Sequence, residues 1–176
     1  QEVSRVTNTL KEAGFEAFLV GGSVRDLFMG KKPKDWDITT NATPEQIIPL
    51  FPKTFYENSF GTVAIVRPEG SAEEVDTSDP TLKVIEVTPY RLEGAYSDHR
   101  RPDEVVFSKD ILDDLKRRDF TINAIAYNPD TGEVIDPFGG VADLARGIIK
   151  TVGNAKDRFF EDGLRILRAV RLHVQL

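Results

Sequence analysis

The chain has 176 residues, 40% hydrophobic and 30% charged, enough apolar material for one packed domain, or one and the start of another, and too much for wholesale disorder. With no cysteine and two isolated histidines, His99 and His173, disulfides, zinc thiolates and cysteine nucleophiles are excluded, and histidine metal clusters or serine–histidine catalysis are disfavoured. The net charge of −6 is uneven: residues 69–79 hold five acids and no base, whereas residues 150–176 hold six bases against three acids, so a phosphate-rich partner is compatible with the acidic total.

No window approaches the run of about 18 apolar residues that a membrane helix needs, and the polar, amphipathic first 14 residues are unlike a secretory signal. The reading is an α/β protein of the cytoplasm with no membrane partner.

In chain order, Val3, Val6, Leu10 and Ala13 fall at helical spacing, and Gly14 closes the helix. Residues 15–20 predict a buried strand running into Gly21-Gly22. A short helix over 23–29 follows, ended by Gly30, then the basic loop Lys31-Lys32-Pro33-Lys34 and a strand over 35–39. Thr43-Pro44-Glu45 is a helix start, a capping threonine before proline at the first helical position. Residues 61–66 and 82–88 predict β-branched strands joined by an acidic segment. Residues 93–103 predict a loop, 108–118 a helix, 124–127 a strand, 128–132 a turn and 141–146 a short helix. A last helix from about Asn154 sets Ile166, Leu167, Ala169, Val170 and Val174 on one apolar face. That face wants a partner and the helix reaches Leu176 uncapped, so a larger parent protein is expected. There is no internal repeat.

Asp35 and Asp37, at i and i+2 of the expected strand, share a face on which their oxygens can converge on one hard cation. Alone the pair is weak, since 29 acids in 176 residues give about five such pairs by chance, and a solvated strand end is the competing reading. Gly21-Gly22-Ser23 leads a strand into a helix, a turn where backbone N–H groups can approach a phosphate, with Arg25 nearby for charge neutralisation. Simple turn geometry also accounts for it, and the third glycine of a dinucleotide fingerprint is missing. Glu86, inside the run Val84-Ile85-Glu86-Val87-Thr88, is either solvent-facing or an acid too costly to bury unless paired or metal-bound. Together, a phosphate-cradling turn, two aspartates and a third carboxylate on a neighbouring strand match a two-metal phosphoryl-transfer centre.

Gly21-Gly22-Ser23-Val24-Arg25-Asp26 followed by Asp35-Trp36-Asp37-Ile38-Thr39 resembles the signature of the polymerase-beta nucleotidyltransferase superfamily. More closely, it is similar to the tRNA nucleotidyltransferase (CCA-adding) and bacterial poly(A) polymerase family. The resemblance continues through Arg117-Arg118-Asp119-Phe120-Thr121-Ile122-Asn123-Ala124 and Asp136-Pro137-Phe138-Gly139-Gly140. It ends in Glu161-Asp162-Gly163-Leu164-Arg165-Ile166-Leu167-Arg168-Ala169-Val170-Arg171, the blocks standing in family order over nearly the whole chain.

The resemblance implies an α/β (α+β) polymerase-beta-like head over residues 1–148, a mixed and largely antiparallel sheet flanked by helices, with residues 149–176 opening a helical neck. It implies template-independent addition of C and A to tRNA 3′ ends from CTP and ATP, releasing pyrophosphate, with Mg2+ held by Asp35, Asp37 and Glu86. Gly21, Gly22, Ser23 and Arg25 would hold phosphates. Arg118 would reach the incoming nucleotide, Asp119 and Asn123 its sugar or the site wall, and Arg168 and Arg171 the triphosphate.

Asp162 and Arg165, read as one turn apart on a helix, have a physical logic of their own. A carboxylate accepts from an exocyclic amino group and a guanidinium donates to the adjacent ring nitrogen, an edge that cytosine and adenine share and that uracil and guanine lack. Glu161 would orient Arg165, and a plain surface salt bridge is the competing reading. Asp136 to Gly140 is expected to be structural, and the loop over 97–102, with His99, Arg100 and Arg101, corresponds to one used for the terminal A. The acidic connection over 67–81 and the missing helical body depart from the family pattern. Phe60-Gly61-Thr62-Val63 and Arg100-Arg101 resemble a CCA-adding enzyme more than a poly(A) polymerase or A-adding enzyme; a non-catalytic RNA- or nucleotide-binding fragment is the reading from another class.

Overall fold

The computed structural model describes residues 2–57, 61–67, 84–92 and 105–176. The loop expected over 93–103 and nearly all of the acidic connection lie outside them. A seven-stranded sheet organises the chain, in the order β3-β4-β5-β2-β1-β6-β7. The strands are β1 (Ala17–Val20), β2 (Asp37–Thr40), β3 (Thr54–Glu57), β4 (Thr62–Val66), β5 (Val84–Pro89), β6 (Ala126–Tyr127) and β7 (Val134–Ile135). Among the described residues only β2 and β5 pair in parallel; the other five pairings are antiparallel. The expected mixed, largely antiparallel sheet is observed.

The helices are α1 (Glu2–Glu12), α2 (Gly22–Phe28), α3 (Pro44–Ile47), α4 (Ile111–Lys116), α5 (Gly140–Ala145), α6 (Ala155–Glu161) and α7 (Leu164–Gln175). Side chains alternate across a strand, and here the alternation decides where chemistry can sit. Ala17, Leu19, Ile38, Val63, Ile65, Ile85 and Val87 turn to one face, where Val3, Val6 and Leu10 of α1 and Ile47 of α3 join them in the main core. On the opposite face Phe18, Val20 and Ala126 pack with Leu115 of α4 in a smaller cluster. The cross-strand register continues that second face through Val20↔Asp37, Asp37↔Glu86 and Ala64↔Glu86. One row across the sheet is therefore apolar under α4 and carboxylate-bearing beyond it.

Several element ends differ from expectation for local reasons. The helix expected over 108–118 is shortened to α4 because Asp110 accepts the Leu112 N–H at 2.9 Å and Ser108 holds the Asp110 N–H at 3.0 Å, a local cap that competes with further helix. Thr121–Asn123 form a 3-10 turn, so β6 begins two residues later than expected. The single helix expected from Asn154 is two, because Asp162 is extended (φ −144°) and ends α6. The edge strands β3 and β7 lacked a sequence signal. On α7, Ile166, Leu167, Val170 and Val174 of the expected apolar face stay exposed, in line with a face that wants a further partner. Ala169 of that face and Leu172 beside it make the contact, against Phe120, Ile122 and Phe159.

Candidate active site

A cleft of about 790 Å³ opens between the sheet end, α2, the 3-10 turn and α7, and every residue expected above to hold metal or nucleotide, except Glu86, lines it. Its floor is the end of β1. Gly21 stands at φ +71°, the left-handed region, and turns the chain into α2. A Cβ there would stand 3.2 Å from Asp37 Oδ2 and 3.3 Å from Arg118 Nη1, so glycine lets the backbone pass beside both groups. Gly22 opens α2, and the Ser23 hydroxyl donates to the Val20 carbonyl at 2.8 Å, tying helix to strand.

Asp37 begins β2, whereas Asp35 lies exposed in the bend before it. The two were expected on one strand face; their meeting comes from the bend entering the cleft. Burial pushes the Asp37 carboxyl above the ordinary carboxylate range, Arg118 opposes the shift, and Asp35 adds to it. Glu86 is exposed beside Asp37 at the paired position of β5.

The basic groups are held from behind. Asp114, fully buried on α4, bonds Arg117 and reaches Arg118 Nη2 at 2.9 Å. Burial pushes its carboxyl up, but Arg118 and Arg117 outweigh that and hold it below the ordinary range. Asp114 was missed as a site residue, although its i+3 and i+4 spacing to Arg117 and Arg118 is legible in the sequence.

Arg25 bonds Asp26 at 2.9 Å and gives Nη1 to Asn123 Oδ1 at 2.9 Å. Asn123 in turn donates to Asp119 Oδ1 at 3.3 Å. Asp119 Oδ2 stands 2.9 Å from Arg168 Nη2, an ion pair without an aligned hydrogen bond. The chain Asp26–Arg25–Asn123–Asp119–Arg168 thus spans from α2 to α7.

On α7, Arg165 is buried and donates to Glu161 Oε2 at 2.6 Å and to the Arg158 carbonyl at 3.1 Å. The expected Glu161–Arg165 contact is present. Asp162 does not share a helix with Arg165, contrary to expectation; its Oδ1 accepts the Leu164 N–H at 2.9 Å and closes the first turn of α7. Arg171 lines the cleft one turn beyond Arg168. Asp136, expected to be structural, takes the N–H groups of Gly140 and Val141 at the start of α5. There the sequence requires glycine, since a Cβ on Gly140 would stand 2.1 Å from the Thr121 carbonyl oxygen.

Among the described residues no three His, Cys, Asp or Glu side chains group into a protein-only metal cage. The donor set nevertheless fits Mg2+, which is commonly held by one or two carboxylates with substrate phosphates completing its shell. Asp35 and Asp37 supply two hard oxygens, and a cation held by them would offset both the burial that raises the Asp37 carboxyl and the smaller repulsion from Asp35.

The model of the poly(A) polymerase head domain family matches residues 17–150. The chain belongs to that family. Among curated relatives of this head domain, the CCA-adding enzyme of Geobacillus kaustophilus is 48% identical over 172 residues, 97% of this chain and 39% of that protein. That of Geobacillus stearothermophilus is 45% identical over the whole chain and 40% of the relative. Among solved structures, the Bacillus stearothermophilus CCA-adding enzyme in complex with CTP superposes with a TM-score of 0.78 at 40% identity, over 97% of this chain and 37% of that one. The Thermotoga maritima CCA-adding enzyme complexed with tRNA-CCA gives 0.70 at 28% identity, over 97% and 36%. The chain spans about two-fifths of the length of the curated relatives it matches. No helix among the described residues is long and apolar enough to cross a membrane.

Proposed function

We propose that this head domain carries the catalytic centre of a CCA-adding tRNA nucleotidyltransferase, which transfers CMP and AMP from CTP and ATP to a tRNA 3′ end and releases pyrophosphate. The observation that carries the reading is the convergence in one cleft of two aspartates, a glycine turn and a set of arginines positioned by carboxylates. The names of the relatives support CCA addition over poly(A) synthesis.

Asp35 and Asp37 would hold Mg2+, with Glu86 assisting on the adjoining strand. When bound, the metal supplies Lewis-acid charge at the reacting phosphate. Gly21, Gly22, Ser23 and Arg25 would receive the triphosphate at the turn, and Arg118, Arg168 and Arg171 would neutralise its charge. Asn123 and Asp119 would line the sugar and hold Arg25 and Arg168 in place. Asp162 Oδ2 and Arg165 would meet the base edge, the carboxylate accepting from the amino group and the guanidinium donating to the ring nitrogen. Glu161 fixes Arg165 so that the edge is read without a template. We take residues 1–148 as the head and 149–176 as the opening of a helical neck, acting in the cytoplasm, where CTP, ATP and tRNA meet.

The test is incubation of the full chain with labelled CTP or ATP and tRNA lacking its 3′ end, with Mg2+ or with EDTA. Addition that stops at CCA and disappears with EDTA supports the reading. A long A ladder turns it toward poly(A) synthesis, and nucleotide binding without incorporation toward a non-catalytic fragment.

A further inference from the structure

Although the whole chain carries −6, the described residues that line the cleft include ten Lys or Arg and only five Asp. Five of the seven arginines among them are already answered by acids: Arg25 by Asp26, Arg117 and Arg118 by Asp114, Arg165 by Glu161, and Arg168 by Asp119. The lysines of the α2–β2 loop are different. Lys31, Lys32 and Lys34 are all exposed, while Pro33 between them is buried and anchors the loop. Lys31 donates to the neutral Gln175 carbonyl at 3.3 Å, and Lys32 and Lys34 bond no described residue. Among the described residues, three ammonium groups with no acid partner thus stand along the cleft on a loop that runs directly into Asp35.

Flexible ammoniums suit a repeating phosphate chain, whereas planar guanidiniums held by carboxylates suit one ligand in one pose. From this division we infer that the lysine rim binds the phosphate backbone of the RNA strand whose 3′ end is extended, while the nucleoside triphosphate is left to the arginines within. The inference rests on the reading of the cleft as a nucleotidyltransferase centre.

The experiment replaces Lys31, Lys32 and Lys34 together by serine in the full chain and reads two quantities. One is binding of fluorescent tRNA lacking its 3′ end across a salt series; the other is the KM for CTP and for that tRNA. The expected result is at least tenfold weaker RNA binding and a slope of log Kd against log salt shallower by about two, given about 0.7–0.9 per phosphate contact, with the KM for CTP within twofold of the parent. Arginine at all three positions should keep the parental slope. An unchanged slope overturns the inference, and so does a raised CTP KM with unaltered RNA binding, which would assign the rim to the triphosphate. Because RNA binding is read directly, the rim stands or falls on it even if no incorporation occurs; absent incorporation removes the proposed activity instead.

Discussion

At the scale of single residues, the cleft concentrates cost where chemistry needs it. Asp37 has its carboxyl raised mainly by burial, so its folded state holds the proton more readily than the unfolded chain does. Stability therefore falls as pH rises from the ordinary carboxylate range through the folded value. Asp37→Asn should melt at a higher temperature than the parent at pH 7, with the difference closing below pH 3.8. If it holds the metal as proposed, it should also lose nucleotide incorporation by about a thousandfold or more, since positioned metal charge is worth several kcal/mol. Calorimetry across pH and a single-turnover assay check the two halves. Gly21→Ala tests the close approach at the turn: left-handed backbone costs about 1–2 kcal/mol outside glycine, and the new methyl would press on Asp37 and Arg118. The expected outcome is a lower melting temperature together with about a tenfold loss in kcat.

At the scale of elements, two carboxylates serve structure and site at once. Asp114 of α4 supports Arg117 and Arg118 from a fully buried position. Asp114→Asn should cost about 3 kcal/mol, the range for breaking a buried pair, and urea titration at pH 7 measures it. Since the Asp114 carboxyl is held below the ordinary range, its contribution is present at neutral pH and is lost as pH falls through the folded value. Asp162 closes the first turn of α7 with Oδ1, which separates two substitutions. Asp162→Ala should lose about 1 kcal/mol of capping as well as base discrimination. Asp162→Asn, which caps equally well, should keep its melting temperature while discrimination for CTP and ATP over UTP and GTP falls ten- to a hundredfold. Incorporation of each of the four triphosphates, set beside the two melting curves, decides between base reading and a purely structural cap.

At the scale of the whole molecule, the site depends on α7 resting against the head. Leu172 is buried with Phe120 and Ile122, and Ala169 and Phe159 pack around them. The same helix carries Arg165, Arg168 and Arg171 into the cleft. Leu172→Ala touches none of the candidate site residues, yet it should cost about 3 kcal/mol through the cavity left behind and weaken CTP binding at least fivefold as the arginines lose their seat. Isothermal titration at a temperature where the variant remains folded reads the second effect apart from the first. The network from Asp26 through Arg25, Asn123 and Asp119 to Arg168 is a weaker tie, because Arg168 is half exposed and its ion pair is screened by solvent.

Much of this was legible in the linear chain, because local signals have local causes. The spacing of Val3, Val6 and Leu10, the cap at Thr43 and Pro44, and the runs of β-branched residues specify elements by themselves, and three of the four motif blocks hold residues that line the cleft. The strands β3 and β7 escaped because an edge strand is only partly buried and carries little periodicity. The break at Asp162 escaped because a helical pattern continues through it, and only the extended backbone at that residue separates α6 from α7. What the tertiary structure alone decided is which groups meet. Asp37 and Glu86 stand side by side because β2 and β5 pair in parallel, and Asp35 joins the cleft through a bend. Arg118 and Asp37 both come up against Gly21 because a buried carboxylate on α4 holds the arginine and a glycine at the end of β1 leaves room for the two. Residue type and short-range order lie in the sequence, whereas these meetings are made by register and burial between segments tens of residues apart, a quantity no local pattern encodes.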